Sequence, residues 1–293
     1  MMSIRNRVGI IVLVALFAGL HVLPAGEVAA VWTRLYDRAR NVDQKYQIMM
    51  NIVEQDSRDM VPVLTRALEE QVSNFENPQS TTEKQKQVRL TKMVVKELGN
   101  LKARDAADLC WQVLQSTDDT ILKGEAILAL GKMGARKYGE QMALMLRNIN
   151  FAGGEVSKQR ENEILAYSLV KAFERLKHEA GLEHVFFASE SWYSTRSGVK
   201  EAAKKALQAM TDDPTDMLIN VVETNDDFKW KLAALEAERR SEAAPERKAE
   251  VAVAAFEEGI RLSYENLVQK RQLKQLRLTA LRMLNGLPKP EGS

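Results

Sequence analysis

The chain has 293 residues, of which 45% are hydrophobic and 28% charged, a globular balance that excludes a wholly disordered chain. Its 42 Lys and Arg against 40 Asp and Glu exclude the basic excess of a nucleic-acid-binding domain. A single cysteine, Cys110, excludes an internal disulfide, and its place between Leu109 and Trp111 points to a buried, inert thiol.

The N-terminus reads as an export segment. Arg5 and Arg7 precede an uncharged run from Val8 to Leu23, and Pro24 is followed by "GEVAA", where Val28 and Ala30 fit the small-residue rule for cleavage. The run is short for a bilayer span, so a signal peptide over 1–30 is expected, with an uncleaved inner-membrane anchor as the alternative. Either way the protein is expected outside the cytoplasm, periplasmic or secreted. Removing residues 1–30 takes Arg5, Arg7 and Glu27 and leaves a near-neutral chain, so any membrane contact is expected only through residues 8–23.

From residue 31 onward the windows are rich in Ala, Leu, Glu, Lys, Arg and Gln, with few β-branched runs and seven prolines in the chain. These are helix formers, and the expected fold class is all-α. "MVPVLTRAL" (60–68) reads as a helix with Pro62 in its first turn, where a missing N–H costs little. "NFENPQSTTEKQKQ" (74–87) is a polar linker by composition, and "KQKQVRLTK" (84–92) a solvated basic helix face. The segment "KELGNLKARDAADLCWQVL" (96–114) can be laid without a gap on "LALGKMGARKYGEQMALML" (128–146), at an offset of 32 residues. Leu98 then meets Leu130, Gly99 meets Gly131, Ala103 meets Ala135, Arg104 meets Arg136 and Leu114 meets Leu146. Gly131 and Gly134 are expected to let the chain leave the first helix with positive φ. Two helices and a turn recurring at this period signal a helical solenoid.

These residues resemble the HEAT repeat family, especially its short phycobilisome-lyase-like variety. Asp118-Asp119, Leu122-Lys123, Ala126 and Ala129-Leu130-Gly131 follow that pattern, as do Val199-Lys200, Ala203 and Ala206-Leu207. Fainter copies centre on Ile52, Phe173 and Leu281, and a further one near Leu232–Leu235. The resemblance implies a superhelix of stacked antiparallel helix pairs over residues 31–222. Helices near 60–72, 106–116, 139–149, 181–189 and 215–223 would line its concave face. Residues 223–286 depart from the pattern: Pro245 reads as a breaker, and these helices form degenerate repeats or a cap before a tail at 287–293.

No catalytic site, cofactor site or metal site is expected. His178 and His184 are six residues apart, without the i, i+4 spacing of a zinc pair, and read as polar or half-buried surface residues. There is no phosphate-binding loop and no nucleophile elbow. Asp118, Asp119, Asp212 and Asp213 read as helix caps and first-turn charges. In "EHVFFASESWYSTRSG" (183–198), Phe186, Phe187, Trp192 and Tyr193 fall within eight residues. They read either as a projecting partner-binding edge or as packing between two units. "KRQLKQLR" (270–277) reads as a solvated face with glutamates nearby.

The function expected from this reading is a non-enzymatic scaffold binding a protein partner on the concave face of the solenoid. Two alternatives stand beside it: a lyase-like enzyme accessory, and a membrane-tethered component self-associating through residues 246–284.

Overall fold

The computed structural model describes residues 25–74, 80–153 and 156–287. Every regular element among them is helical, with fourteen α-helices and no strand. The apolar run 8–23 lies outside the described residues, as does all of the tail after Leu287. No described helix is long and apolar enough to cross a membrane. The chain divides into two compact units, residues 1–133 and 134–293, and the boundary expected near residue 222 falls inside the second.

The first unit contains α1 (Ala25–Arg38), α2 (Val42–Val53), α3 (Val61–Asn74), α4 (Thr81–Asn100), α5 (Ala107–Ser116) and α6 (Thr120–Met133). Helix α1 runs unbroken through the expected cleavage point at Ala30 and buries Ala29, Trp32 and Tyr36 at helical spacing. Side-chain caps set the starts of α2, α4 and α6. Asn41 accepts the Gln44 N–H, Ser80 accepts the Glu83 N–H, and Asp119 Oδ1 accepts the Leu122 N–H at 2.7 Å, as expected for that aspartate. Pro62 does sit in the first turn of α3. Helices two apart in sequence pack together: α2 on α4 and α4 on α6 in one layer, α1 on α3 and α3 on α5 in the other. The core is Met49, Ile52, Leu64, Leu68, Leu90, Val94, Leu98, Ile127 and Leu130 between the layers.

The second unit contains α7 (Gly139–Phe151), α8 (Gln159–Leu176), α9 (Leu182–Glu190), α10 (Val199–Met210), α11 (Thr215–Thr224), α12 (Phe228–Arg239), α13 (Pro245–Arg261) and α14 (Leu267–Gly286). The same alternation holds on either side of a break between α10 and α11: α7 packs on α9, α8 on α10, α11 on α13 and α12 on α14. Pro245 is not a breaker. It occupies the first turn of α13, where its fixed φ suits the helix and its missing N–H has no partner to lose.

One turn recurs four times. Asp56, Lys102, Gly134 and Lys177 each adopt a left-handed conformation, with φ of 44°, 53°, 73° and 47°. Each is followed by one more residue, a three-residue 3-10 turn and the second helix of a pair. Each also lies four residues after a buried anchor, Ile52, Leu98, Leu130 or Phe173. This is the physical content of the offset between 96–114 and 128–146. Only one of the four is glycine; at the others a side chain is held where it costs about 1–2 kcal/mol. The fifth anchor, Leu207, is followed by an extended Thr211 and by Pro214 before α11, so the turn is lost there. Leu281, the expected last anchor, is 39% exposed.

Gly131 does not terminate its helix, contrary to the reading of the sequence; it lies within α6 and is buried. Its counterpart Gly99 shows what such a glycine does. A Cβ at Gly99 would come within 2.9 Å of the Ala129 Cα and Cβ, so the residue permits close approach of α4 to α6. Gly99→Ala is expected to lose about 1–2 kcal/mol by crowding, net of the gain in helix propensity. Thermal denaturation followed by circular dichroism checks this, and an unchanged or raised Tm would show that α4 and α6 can part freely.

Candidate functional site

The segment after α9 is held by the C-terminal end of α7. The last carbonyls of a helix have no partner within it. Here the Trp192 Nε1–H donates to the Ile149 carbonyl (3.1 Å) and the Ser191 hydroxyl to the Asn150 carbonyl (2.8 Å). The buried Asn150 side chain completes the clasp. Its Nδ2 donates to the His184 carbonyl (2.8 Å), and its Oδ1 accepts the Tyr193 hydroxyl (2.7 Å). The ring centroids of Trp192 and Tyr193 lie 4.6 Å apart. Burial, reinforced by the charge of Glu163, pushes the Tyr193 hydroxyl far above the ordinary tyrosine range, so it stays a donor.

These contacts decide between the two readings of the aromatic stretch. Phe186, Phe187 and Tyr193 are buried, so they do not form a projecting edge; Trp192 is half-buried. Phe187 meets Phe151 edge-on at 5.7 Å and Trp230 at 4.9 Å, which is packing within the unit.

Beside this clasp lies a groove of about 820 Å³, walled by the first turns of α8 and by residues 194–197. Glu163 on α8 accepts the Ser194 N–H at 2.7 Å and the Ser197 hydroxyl donates to the Ser194 carbonyl, which fixes the two walls together. Gly198 then takes φ 71° and turns the chain into α10 beside Tyr167. The groove presents Arg160 on one wall and Arg196 on the other, both exposed, over Ile164 and Tyr167. Among the described residues Glu163 is the one carboxylate lining it. Such a surface can hold a carboxylate by forked hydrogen bonds and an apolar side chain beside it. It lies on α8 and the turn before α10, not on the second helices near 139–149, 181–189 and 215–223.

Two smaller cavities are of other kinds. One of about 390 Å³ in the first unit is polar, with Arg40, Lys45, Glu70, Gln71 and Gln87. One of about 240 Å³ lies among Leu207, Thr211, Pro214 and Ala237.

The histidines lie apart in role. His178 Nδ1 accepts the Ala180 N–H and starts a 3-10 turn, and its ring fills the space that a side chain at Gly139 would need. His184 is half-buried, and burial lowers its pKa against the opposing charge of Glu183. Among the described residues no three His, Cys, Asp or Glu side chains gather as a metal ion would require. Cys110 is fully buried, and burial pushes its thiol up to about 12. It is expected to resist alkylation by iodoacetamide at pH 8 in the native protein and to react on unfolding. Rapid labelling of the native protein would contradict that burial.

Sequence reasoning missed Arg160, Tyr167 and Arg196 as a group. The available signal was that 150–162 lengthens one repeat while 183–198 carries an aromatic cluster; that the two meet is a tertiary fact. No family model, no curated protein and no solved structure matches the chain.

Proposed function

We propose that the protein is an exported, helical-repeat interaction protein of the cell envelope, which holds a segment of a partner protein without transforming it. The export pattern of residues 5–30 and the HEAT-like repeat support the first part, and in this reading the stacked pairs form a superhelix. The carrying observation for binding is the groove between α8 and residues 194–197, with Arg160 and Arg196 facing a common space over Ile164 and Tyr167. The ligand is a peptide segment that pairs an acidic group with an apolar side chain.

A photo-crosslinking residue placed at Tyr167 in the full chain, expressed in its own cell envelope, tests this. The expected result is one discrete protein adduct that is lost on Arg160→Glu/Arg196→Glu. Adducts instead from Glu140 on α7, with none from Tyr167, would return binding to the second-helix face and overturn the groove.

A further inference from the structure

We propose that the outer face of α14 docks on an anionic membrane surface. Helix α14 buries Leu273, Leu276, Ala280 and Met283 and packs on α12 and α13. On the opposite side, Leu267, Arg271, Lys274, Leu278, Leu281 and Arg282 follow one another at intervals of three or four residues, with Arg282 beside Leu281. This spacing forms a single row along a helix about 30 Å long. All six are exposed, Leu267 by 71%. Ile260 at the end of α13 (62%), Tyr264 in the turn (48%) and Val268 in the first turn of α14 (65%) are exposed as well.

The charge on this face has one sign. Helix α14 contains no Asp or Glu, and Arg271, Lys274 and Arg282 make no ion pair among the described residues. The basic run at 84–92 behaves differently: Lys84 pairs with Asp118 and Lys86 with Asp43. The glutamates near α14 do not neutralise it. Glu258 is buried and taken by Lys231 and Arg261, while Glu257 and Glu265 stand exposed on α13 and in the turn. The face expected at 270–277 is solvated, and no ion pair among the described residues offsets the charge of Arg271 and Lys274.

Leucines alternating with long cations suit a lipid interface. The leucines enter the acyl boundary while lysine and arginine stems lie along it and carry their charges to headgroup phosphates. Tyr264, with the Lys270 ammonium 5.4 Å from its ring centroid, suits the headgroup level. A second copy of the same face would bring like charges together. None of the three cavities described above is lined by α14, so the face offers a row rather than a pocket.

The test uses the full chain with Leu278→Cys labelled by an environment-sensitive dye, Cys110 being sealed in the core. Leu144→Cys, at an exposed leucine of α7, is the matching control. Phosphatidylcholine vesicles containing phosphatidylglycerol are expected to blue-shift the dye at 278 and not at 144, and high salt to reverse the shift. Pure phosphatidylcholine is expected to leave it unchanged. Adding Arg271→Glu/Lys274→Glu is expected to raise the lipid concentration at half-effect by at least tenfold, since each cation near an anionic surface contributes to binding. Because the dye reports on α14, insertion of residues 8–23 alone would not produce the shift. The proposal is overturned by no shift on anionic vesicles, by an equal shift on zwitterionic ones, or by an unchanged titration in the charge variant. It is equally overturned by a lipid-free shift that grows with protein concentration, which would make a second copy the occupant. A response to polyglutamate but not to vesicles would identify an acidic protein.

Discussion

Lys231→Ala is expected to destabilise the second unit by about 3–5 kcal/mol, the loss typical of breaking a buried ion pair from one side. Lys231 is 1% exposed, and its ammonium donates to the Val222 carbonyl and to Glu258 Oε2 at 3.1 Å. One side chain on α12 thus satisfies an orphan carbonyl in the last turn of α11 and a carboxylate on α13. Truncating it strands both. Burial pushes the Glu258 carboxyl up, but hydrogen bonds and charges from Arg261 and Lys231 outweigh this and hold it below the usual glutamate range. A depressed carboxylate stabilises the fold above its unfolded pKa of about 4.5, and that contribution is lost as pH falls through the folded value. Thermal melts of the wild type and Lys231→Ala at neutral pH should differ by on the order of 10 °C. The gap should narrow below about pH 4.5. The double variant Lys231→Met/Glu258→Leu should recover most of the loss, since a packed apolar pair can replace a buried ionic one. A single-variant cost under about 1 kcal/mol would show that water reaches the pair.

Asn150→Ala should cost about 3 kcal/mol and should also abolish binding in the groove. It removes the partners of the Tyr193 hydroxyl and the His184 carbonyl together, and an unsatisfied buried polar group costs about 1–3 kcal/mol. Tyr193→Phe leaves only Asn150 Oδ1 short of a donor, and should cost about 1–2 kcal/mol. Chemical denaturation measures both. The two losses should not add to that of Asn150→Ala/Tyr193→Phe, because the residues share one bond. If Asn150→Ala melts like the wild type, the clasp does not hold residues 191–194. The position of Arg196 then needs another cause.

What could be read in the sequence was local and periodic. Leu98 and Leu130 announced equivalent places because the spacing of anchor, turn and second helix is fixed by backbone geometry. That spacing also located Ile52 and Phe173. The turn residue itself was misread, because glycine is the usual left-handed residue and Gly131 stood beside Gly134. Asp56, Lys102 and Lys177 carry no such mark. Gly99 is small for packing, which depends on a neighbouring helix that one segment cannot display. The aromatic stretch at 186–193 left two readings open, since composition cannot tell a large side chain facing inward from one facing outward. Arg160 and Arg196 are separated by 35 intervening residues and meet only once Asn150 has fixed the loop between them. Leu281 fitted the repeat period and still came out exposed, because α14 turns a different side towards α12 and α13.

The four left-handed turns have a consequence for how such a chain can change over evolutionary time. Each sets the step from one helix into the next through backbone torsion and a 3-10 turn, so residues added elsewhere leave that step untouched. The stretches at 156–158 and 191–198 lie outside those steps, and the wall carrying Arg196 is built from the second of them. New specificity can therefore arise by lengthening the seams between modules while the modules stay as they were.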